Sequence, residues 1–429
     1  MTTSSKILLF IGFVVTSEGA VGQTVDLSLS AAEELALRNR SELKISSLEE
    51  ERSIIDDRRR WSSLLPTIDL GRNYVSDQNL IDPNDAHSYN YIKVKGDIVA
   101  PSLWFQQKKV SKAKLALSKV ETRVVRSKIL KQVRTLYFEA KMAKRAWNIA
   151  LKNSRIADRS QSLAKRKYEK GLAPLSDLKR AELLSRRITK NVITSKRKYE
   201  QLLGELYLFI GTPQGSKSIT TLSTKVPESY RYFSLNDVQL KKELSKSKND
   251  SLEKMKVRSQ IARMSVDNAR AEFLPRITMS ARFTTSDPRI SNPERRSSYL
   301  LGVEWNLFSG GKDYYNYRDK IATMKISDEE VYLEKQNFER DLNRIFIELT
   351  SLKESYLLEQ KNLEDLEFIA RESQALFDKG LTNVSVVLRD TEDLVRQESA
   401  ILDLTLKIIS LIAEVSAHSE NNGIFDSLL

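Results

Sequence analysis

Short stretches of the chain alternate between apolar and polar residues, which is the pattern of a β-strand with two different faces. A clear stretch has its apolar residues at Ile277, Met279, Ala281 and Phe283. A second follows at 299–307 and a weaker pair lies in the first half, so the pattern predicts β-hairpins over 67–99 and 276–307. Strands of about ten residues with one apolar face are typical of a transmembrane barrel, and equally of a half-buried soluble hairpin. Aromatic residues near the strand ends favour the barrel: Tyr74, Tyr89, Tyr91, Tyr299 and Trp305.

Most of the remaining chain has the apolar spacing of very long helices. No proline or glycine interrupts residues 312–378, and apolar side chains recur there every seven residues. This spacing predicts a sustained coiled-coil seam rather than the face of a short globular helix. At about 1.5 Å per residue, such a helix is a rod of roughly 100 Å. The seam residues are Phe338, Leu342, Ile345, Leu349, Leu352 and Tyr356.

A second long helix is predicted over 104–168, where alanines occupy the equivalent seam positions. We expect the two rods to pack closely, because small residues of one would face large residues of the other. Gly171 and Gly380 then end the rods, and a shorter return helix follows each of them. The alanines are Ala140, Ala143, Ala150, Ala157 and Ala164.

The chain contains the same unit twice, because separate motifs recur at one spacing of 209 residues. Leu64-Leu65-Pro66 returns as Phe273-Leu274-Pro275, and Tyr168-Glu169-Lys170-Gly171-Leu172 returns as Phe377-Asp378-Lys379-Gly380-Leu381. Each unit also opens with a pattern typical of a capping box. We therefore expect two repeats, 23–211 and 233–418, each with a helix, a β-hairpin, a long helix and a return helix. A linker at 212–232 would join them, and a tail at 419–429 would follow.

The composition argues against an enzyme. The chain has no cysteine and only two histidines, which lie far apart, so a thiol nucleophile and a histidine metal cluster are both disfavoured. No nucleotide-binding, hydrolase or zinc-protease motif is present. We predict no catalytic residue, metal or cofactor.

The first 22 residues have the pattern of a secretory signal peptide. Lys6 precedes an apolar run at 7–15, which is too short to span a bilayer, and Ala20-Val21-Gly22 offers small residues for cleavage. The alternative is a buried N-terminal strand. We expect the mature protein to be exported past the inner membrane of a Gram-negative cell.

The charge is unevenly distributed along the chain. A formal net charge of +13 would ordinarily favour nucleic acid as a partner, but export argues against it. Residues 105–200 carry 28 Lys and Arg against 7 Asp and Glu, whereas residues 312–418 carry 14 against 22. These runs are either solvated faces or oppositely charged hairpins that attract each other. A basic nucleic-acid-binding coiled coil would require an uncleaved N-terminus.

Four strands cannot close a membrane barrel by themselves, since the smallest known have about eight and lipid tolerates no open edge. A membrane barrel would have to be shared between copies, with the helical hairpins extending it as a tube. In these features the chain resembles the TolC-like outer membrane efflux and secretion channel family over nearly the whole mature sequence. The resemblance rests on the opening at 27–40, the two Leu-Pro boundaries, the turn at 305–312 and the two Tyr/Phe-x-x-Gly-Leu turns.

The resemblance implies a mainly helical protein with a small β part, in the outer membrane of a Gram-negative bacterium. It implies a homotrimer whose twelve-stranded barrel is surrounded by outer membrane lipid and continues as a twelve-helix periplasmic tunnel. A periplasmic adaptor (membrane fusion protein) would dock on it and connect it to an inner-membrane transporter that supplies the energy. The expected function is the passive exit duct of a tripartite efflux pump or a type I secretion system. The alternative is a structural periplasmic coiled-coil protein without a pore.

The resemblance also places the functional residues at the tips of the rods, where adaptors meet the channel. The contact candidates are Tyr168, Gly171, Leu172, Phe377, Gly380 and Leu381. A turn that only reverses the chain would explain the glycines equally well. Family members often carry an acidic ring just past the second turn, but Val386 and Arg389 occupy those positions here, so weak block by divalent cations is expected. The gate candidates are Asp177, Arg180, Val386, Arg389 and Asp390.

Overall fold

The computed structural model describes residues 25–62, 65–75, 87–98, 101–211, 219–222, 234–245, 249–286 and 295–416. The expected signal peptide and C-terminal tail lie outside these residues, as does most of the linker between the repeats.

Eight helices account for most of the described chain, and they fall into two similar series. The first series is α1 (Leu29–Asn39), α2 (Ser41–Ser62), α3 (Pro101–Glu169) and α4 (Leu175–Ile210). The second is α5 (Asp237–Ser245), α6 (Asp250–Ala271), α7 (Lys312–Asp378) and α8 (Val384–Ser416). Among the helices described, none has a segment both long enough and apolar enough to traverse a bilayer.

Local chemistry explains where several helices begin. Asn236 and Gln239 form a reciprocal capping box at the start of α5, because each side chain accepts a hydrogen bond from the other residue's backbone N–H. At α1 the capping residue is Ser28, whose Oγ accepts from the N–H of Ala31 at 3.2 Å. The helix α3 begins at Pro101. A first turn tolerates proline, which lacks a backbone N–H, because an N–H at that position would have no partner within the helix.

The strands form two sheets. A short parallel pair joins β1 (Val25–Leu27) to β4 (Ile219–Leu222). The larger sheet is antiparallel in the order β2–β3–β5–β6. Its strands are β2 (Thr67–Val75), β3 (His87–Ile98), β5 (Arg276–Ser286) and β6 (Arg295–Glu304). The two halves of the chain therefore meet in one sheet, through β3 and β5.

The register of the larger sheet aligns its apolar residues on one face. Ile68 lies opposite Val94, Val94 opposite Ala281, and Ala281 opposite Tyr299. A neighbouring row aligns Leu70, Ile92 and Phe283 in the same way. This face is not covered within the chain, since Ile68 is 67% exposed and Leu301 is 75% exposed.

The main core lies where α1, α3, α4, α5, α7 and α8 converge on the small parallel sheet. Arg134 of α3 is buried there, pairs with Glu33 at 2.6 Å and donates to Ser416 at 2.7 Å. The Tyr137 hydroxyl donates to the carbonyl of Leu27 at 2.8 Å. These bonds hold α1, the end of α8 and the strand β1 against the long helix α3.

The long helices pack on the shorter ones, so the expectation that the two rods face each other is wrong. α3 packs mainly against α2, α4, α6 and α8, and α7 against α5, α6 and α8. The physical reason is the tip turn, which lays each return helix along its own rod. The five alanines of α3 are buried, as are Ile345, Leu349 and Tyr356 of α7. The other seam residues, Phe338, Leu342 and Leu352, are half-buried.

Candidate functional site: the tips of the helical hairpins

Both rods end in the same type of turn. In the first tip, the backbone N–H of Leu172 donates to the carbonyl of Lys167 at 2.8 Å, and that of Gly171 donates to the carbonyl of Tyr168 at 2.9 Å. In the second tip, the backbone N–H of Leu381 donates to the carbonyl of Leu376 at 2.8 Å, and that of Gly380 donates to the carbonyl of Phe377 at 3.0 Å. These paired bonds define a Schellman motif, which requires a left-handed residue.

Glycine supplies that conformation in both tips. Gly171 has φ of +69° and Gly380 has φ of +79°, a region in which a Cβ is unfavourable. A Cβ at either glycine would meet no other atom within 4 Å, so the backbone, rather than crowding, explains the residue choice.

The apolar residues of the tips divide into exposed and buried ones. Leu172 is 74% exposed and Leu381 is 72% exposed, and Tyr168 is also exposed. Phe377 is only 2% exposed, because it packs with Ala164, Ala181, Val384 and Val387 in a small core of its own. A partner can therefore reach the two leucines and Tyr168 directly, whereas Phe377 supports the turn from inside.

Side chains of the first hairpin hold the second hairpin at the tip. Lys167 donates to the carbonyl of Phe377 at 2.9 Å, and its ammonium lies 4.0 Å from the centre of the Phe377 ring. Arg180 donates to the Ser385 hydroxyl at 2.9 Å. Arg159 pairs with Asp378 at 3.0 Å. The motif comparison did not single out Lys167 or Arg159, although both belong to the basic excess found on this hairpin.

The gate candidates lie at the beginnings of the return helices α4 and α8. Asp177 and Asp390 are buried, whereas Arg180 is exposed. Val386 is half-buried. The Arg389 side chain is 70% exposed and its guanidinium lies 3.3 Å from the Asp390 carboxylate. Among the gate candidates, the exposed charges are thus those of Arg180 and Arg389, and both are positive.

Ion pairs continue between the hairpins above the tip. Arg187 lies 3.6 Å from Glu392, Lys152 lies 3.7 Å from Glu398, and in each pair the base belongs to the first hairpin. The basic first hairpin and the more acidic second hairpin are therefore joined by ion pairs within one chain, although partly exposed pairs of this kind contribute little individually. Gln397 of α8, together with Asn362, donates to the Glu359 carboxylate of α7, which holds the pKa of Glu359 below its usual range.

The described side chains include no group of three or more His, Cys, Asp or Glu that could hold a metal ion.

Comparison with known families identifies this arrangement. The profile of the family described as "Outer membrane efflux protein" matches residues 34–212 and 243–414, which is most of the chain. The chain belongs to this family. The finding confirms the resemblance seen in the sequence, and it makes the chain an outer membrane efflux channel, located in the outer membrane. The family consists of passive channels rather than enzymes.

Solved structures share the fold at low sequence identity. A membrane protein from Pseudomonas aeruginosa is 16% identical, with a TM-score of 0.80 over 93% of this chain and 91% of that one. The outer membrane protein VceC of Vibrio cholerae is 15% identical, with a TM-score of 0.75 over 91% and 94%. The CmeC outer membrane channel of Campylobacter jejuni is 15% identical, with a TM-score of 0.74 over 91% and 85%. No curated protein matches the sequence.

Proposed function

We propose that three copies of the chain form a passive exit duct across the outer membrane and the periplasm. Each copy would contribute four strands to a twelve-stranded barrel, and its long helices to a twelve-helix tunnel. The observation that carries this proposal is the larger sheet, which has an uncovered apolar face and an edge strand on each side.

The apolar face of the sheet fits a lipid environment. Burial of apolar surface contributes about 25 cal/mol per Å², so side chains as exposed as Leu70, Leu301 and Val303 would be unfavourable in water. Lipid chains would cover this face, and the opposite face, with its polar residues, would line an aqueous lumen.

The edges of the sheet favour a shared barrel. Within the described residues, β2 and β6 each have a strand neighbour on one side only. Unpaired backbone groups cost several kcal/mol each in lipid, so edge strands of neighbouring copies would pair and close the sheet. Four strands are too few for one copy to close alone.

The helical part also offers complementary surfaces for neighbouring copies. α7 carries 16 acidic and 10 basic residues, whereas α4 carries 8 basic and 4 acidic residues. Both helices expose apolar side chains in the single chain. We infer that α4 of one copy packs along α7 of the next. The exposed apolar residues include Ile326, Leu333, Ile347, Leu358 and Phe368 on α7, and Leu183 and Ile193 on α4.

The tips would dock a periplasmic adaptor, and through it an inner-membrane transporter that supplies the energy of export. Leu172 and Leu381 support this role, because their exposed apolar side chains leave surface that a helical partner can cover. The duct would serve a tripartite efflux pump or a type I secretion system and would need no cofactor of its own.

The absence of cysteine makes the docking testable by site-specific cross-linking. Leu172→Cys and Leu381→Cys, each treated in cells with a short sulfhydryl-to-amine reagent, should join the chain to its adaptor. Ser47→Cys is the matched control, because this exposed residue lies on α2 away from both tips. Cross-links to the adaptor from Ser47 but from neither tip leucine would contradict the docking proposal.

A further inference from the structure

A pair of basic residues lies side by side in the middle of the larger sheet. In the register, Asp69 of β2 is opposite Lys93 of β3, and Lys93 is opposite Arg282 of β5. Like charges directly opposite each other on adjacent strands destabilise a sheet. One carboxylate faces two cations in this row, so the row keeps a positive excess. A local conflict of this kind indicates a functional position rather than a packing optimum.

These charges lie on the face opposite to the apolar one. Successive residues of a strand point to opposite faces, and the chain neighbours of Lys93 and Arg282 include Ile92, Val94 and Phe283. Those apolar residues belong to the uncovered face that the proposed barrel turns toward lipid. Lys93 and Arg282 therefore belong to the face that would line the lumen.

Neighbouring residues fix the position of the Arg282 guanidinium. Its central carbon lies 5.7 Å from the centre of the Tyr91 ring, within the range of a cation–π contact. The Tyr91 ring in turn crosses over Gly71, where a Cβ would come within 2.6 Å of the ring. Glycine at this position lets the ring lie across β2. The arrangement thus involves three strands, through Gly71 of β2, Tyr91 of β3 and Arg282 of β5.

We propose that the Lys93–Arg282 pair makes the barrel lumen selective for anions and favours cargo with net negative charge. The inference rests on the proposed trimeric duct, in which every copy adds the same two cations at the same height. Rings of Arg and Lys select anions in pores, because a lumen with low-dielectric walls concentrates ions of the opposite charge. In this proposal, part of the chain's positive net charge acts on ions in the lumen, in the sheet and not at the tips.

Planar-bilayer recording of the purified protein under a KCl gradient tests the proposal. The reversal potential of the unmodified channel should show that chloride permeates better than potassium. Lys93→Gln and Arg282→Gln should each lower the chloride-to-potassium permeability ratio, and the double variant should lower it further, several-fold in total. The single variants provide the result if the double variant does not assemble.

Two further variants separate lumen charge from other effects. Arg72→Gln removes the same charge from the other face of β2, the face of Ile68 and Leu70, and should leave the ratio unchanged. Tyr91→Leu keeps every charge but releases the guanidinium, and should lower the ratio in part. A cation-selective unmodified channel, or a ratio that the double variant does not change, would overturn the proposal. Complete absence of channel current from the unmodified protein would overturn the duct itself, and the inference with it.

Discussion

At the scale of single residues, sequence reasoning located the tips but not the direction of their side chains. The glycines were predictable, because only a left-handed residue permits the turn, and both have positive φ. The repeat suggested that Tyr168 and Phe377 are equivalent, yet the first is exposed and the second is buried. Internal similarity aligns positions along the chain but does not state which neighbouring helix covers each one.

Gly380→Val should weaken export without preventing delivery of the protein to the outer membrane. The β-branched side chain would strain the turn by about 1 kcal/mol or more, because φ at this position is left-handed. Lys379→Val is the matched control, since this neighbour has φ of −79° and tolerates the same side chain. Cargo export and outer membrane content should be measured together. Equal export by the two variants would contradict the strained-turn account.

Charge at the gate candidates near the tips should determine how strongly divalent cations block the channel. The unmodified channel should show little block by divalent cations in planar bilayers, because Val386 and Arg389 stand where an acidic ring would bind them. Val386→Asp combined with Arg389→Asp should create such block. The matched control replaces both residues with Asn, which removes the positive charge without adding acids. Strong block of the unmodified channel that the aspartates leave unchanged would place the gate elsewhere.

At the scale of elements, the periodicity of the sequence predicted the helices and strands. It did not predict which of these elements pack against each other. Heptad spacing predicted one unbroken helix over the residues that α7 spans, and period-two alternation predicted strands where β5 and β6 lie. The strand β6 ends at Glu304 rather than 307, where the Trp305 indole N–H donates to the carbonyl of Phe273 at 3.1 Å and the next helix begins after two glycines. Rod-to-rod packing was mispredicted, because a heptad pattern identifies a buried face without naming the helix that covers it.

Ile345→Asp should disrupt the helical core. Ile345 is 0% exposed within the main core, and a buried unpaired carboxylate costs several kcal/mol. Thermal unfolding and the fraction of assembled protein should both fall. Asn343→Asp is the matched control, because it adds the same charge at an exposed position on the same helix turn. Normal stability and assembly of Ile345→Asp would show that the assigned seam is wrong.

At the scale of the whole molecule, the proposed trimer would explain together the features that look incomplete in one chain. The sheet has uncovered apolar side chains and two edge strands, and the helices expose further apolar residues along α7 and α4. The charge difference between the hairpins is used within one chain and, in our proposal, again between copies. The sequence could predict the strands and rods, since they depend on local spacing. It could not predict what covers their exposed faces, since in the proposed trimer those faces contact lipid or other copies.

The mass of the assembly extracted in mild detergent tests the central claim most directly. Native mass spectrometry of the mature protein should give three times the mass of one chain, because three four-stranded contributions close a barrel that one contribution cannot close. A stable, monodisperse monomer in the same detergent would contradict the shared barrel and the duct built on it.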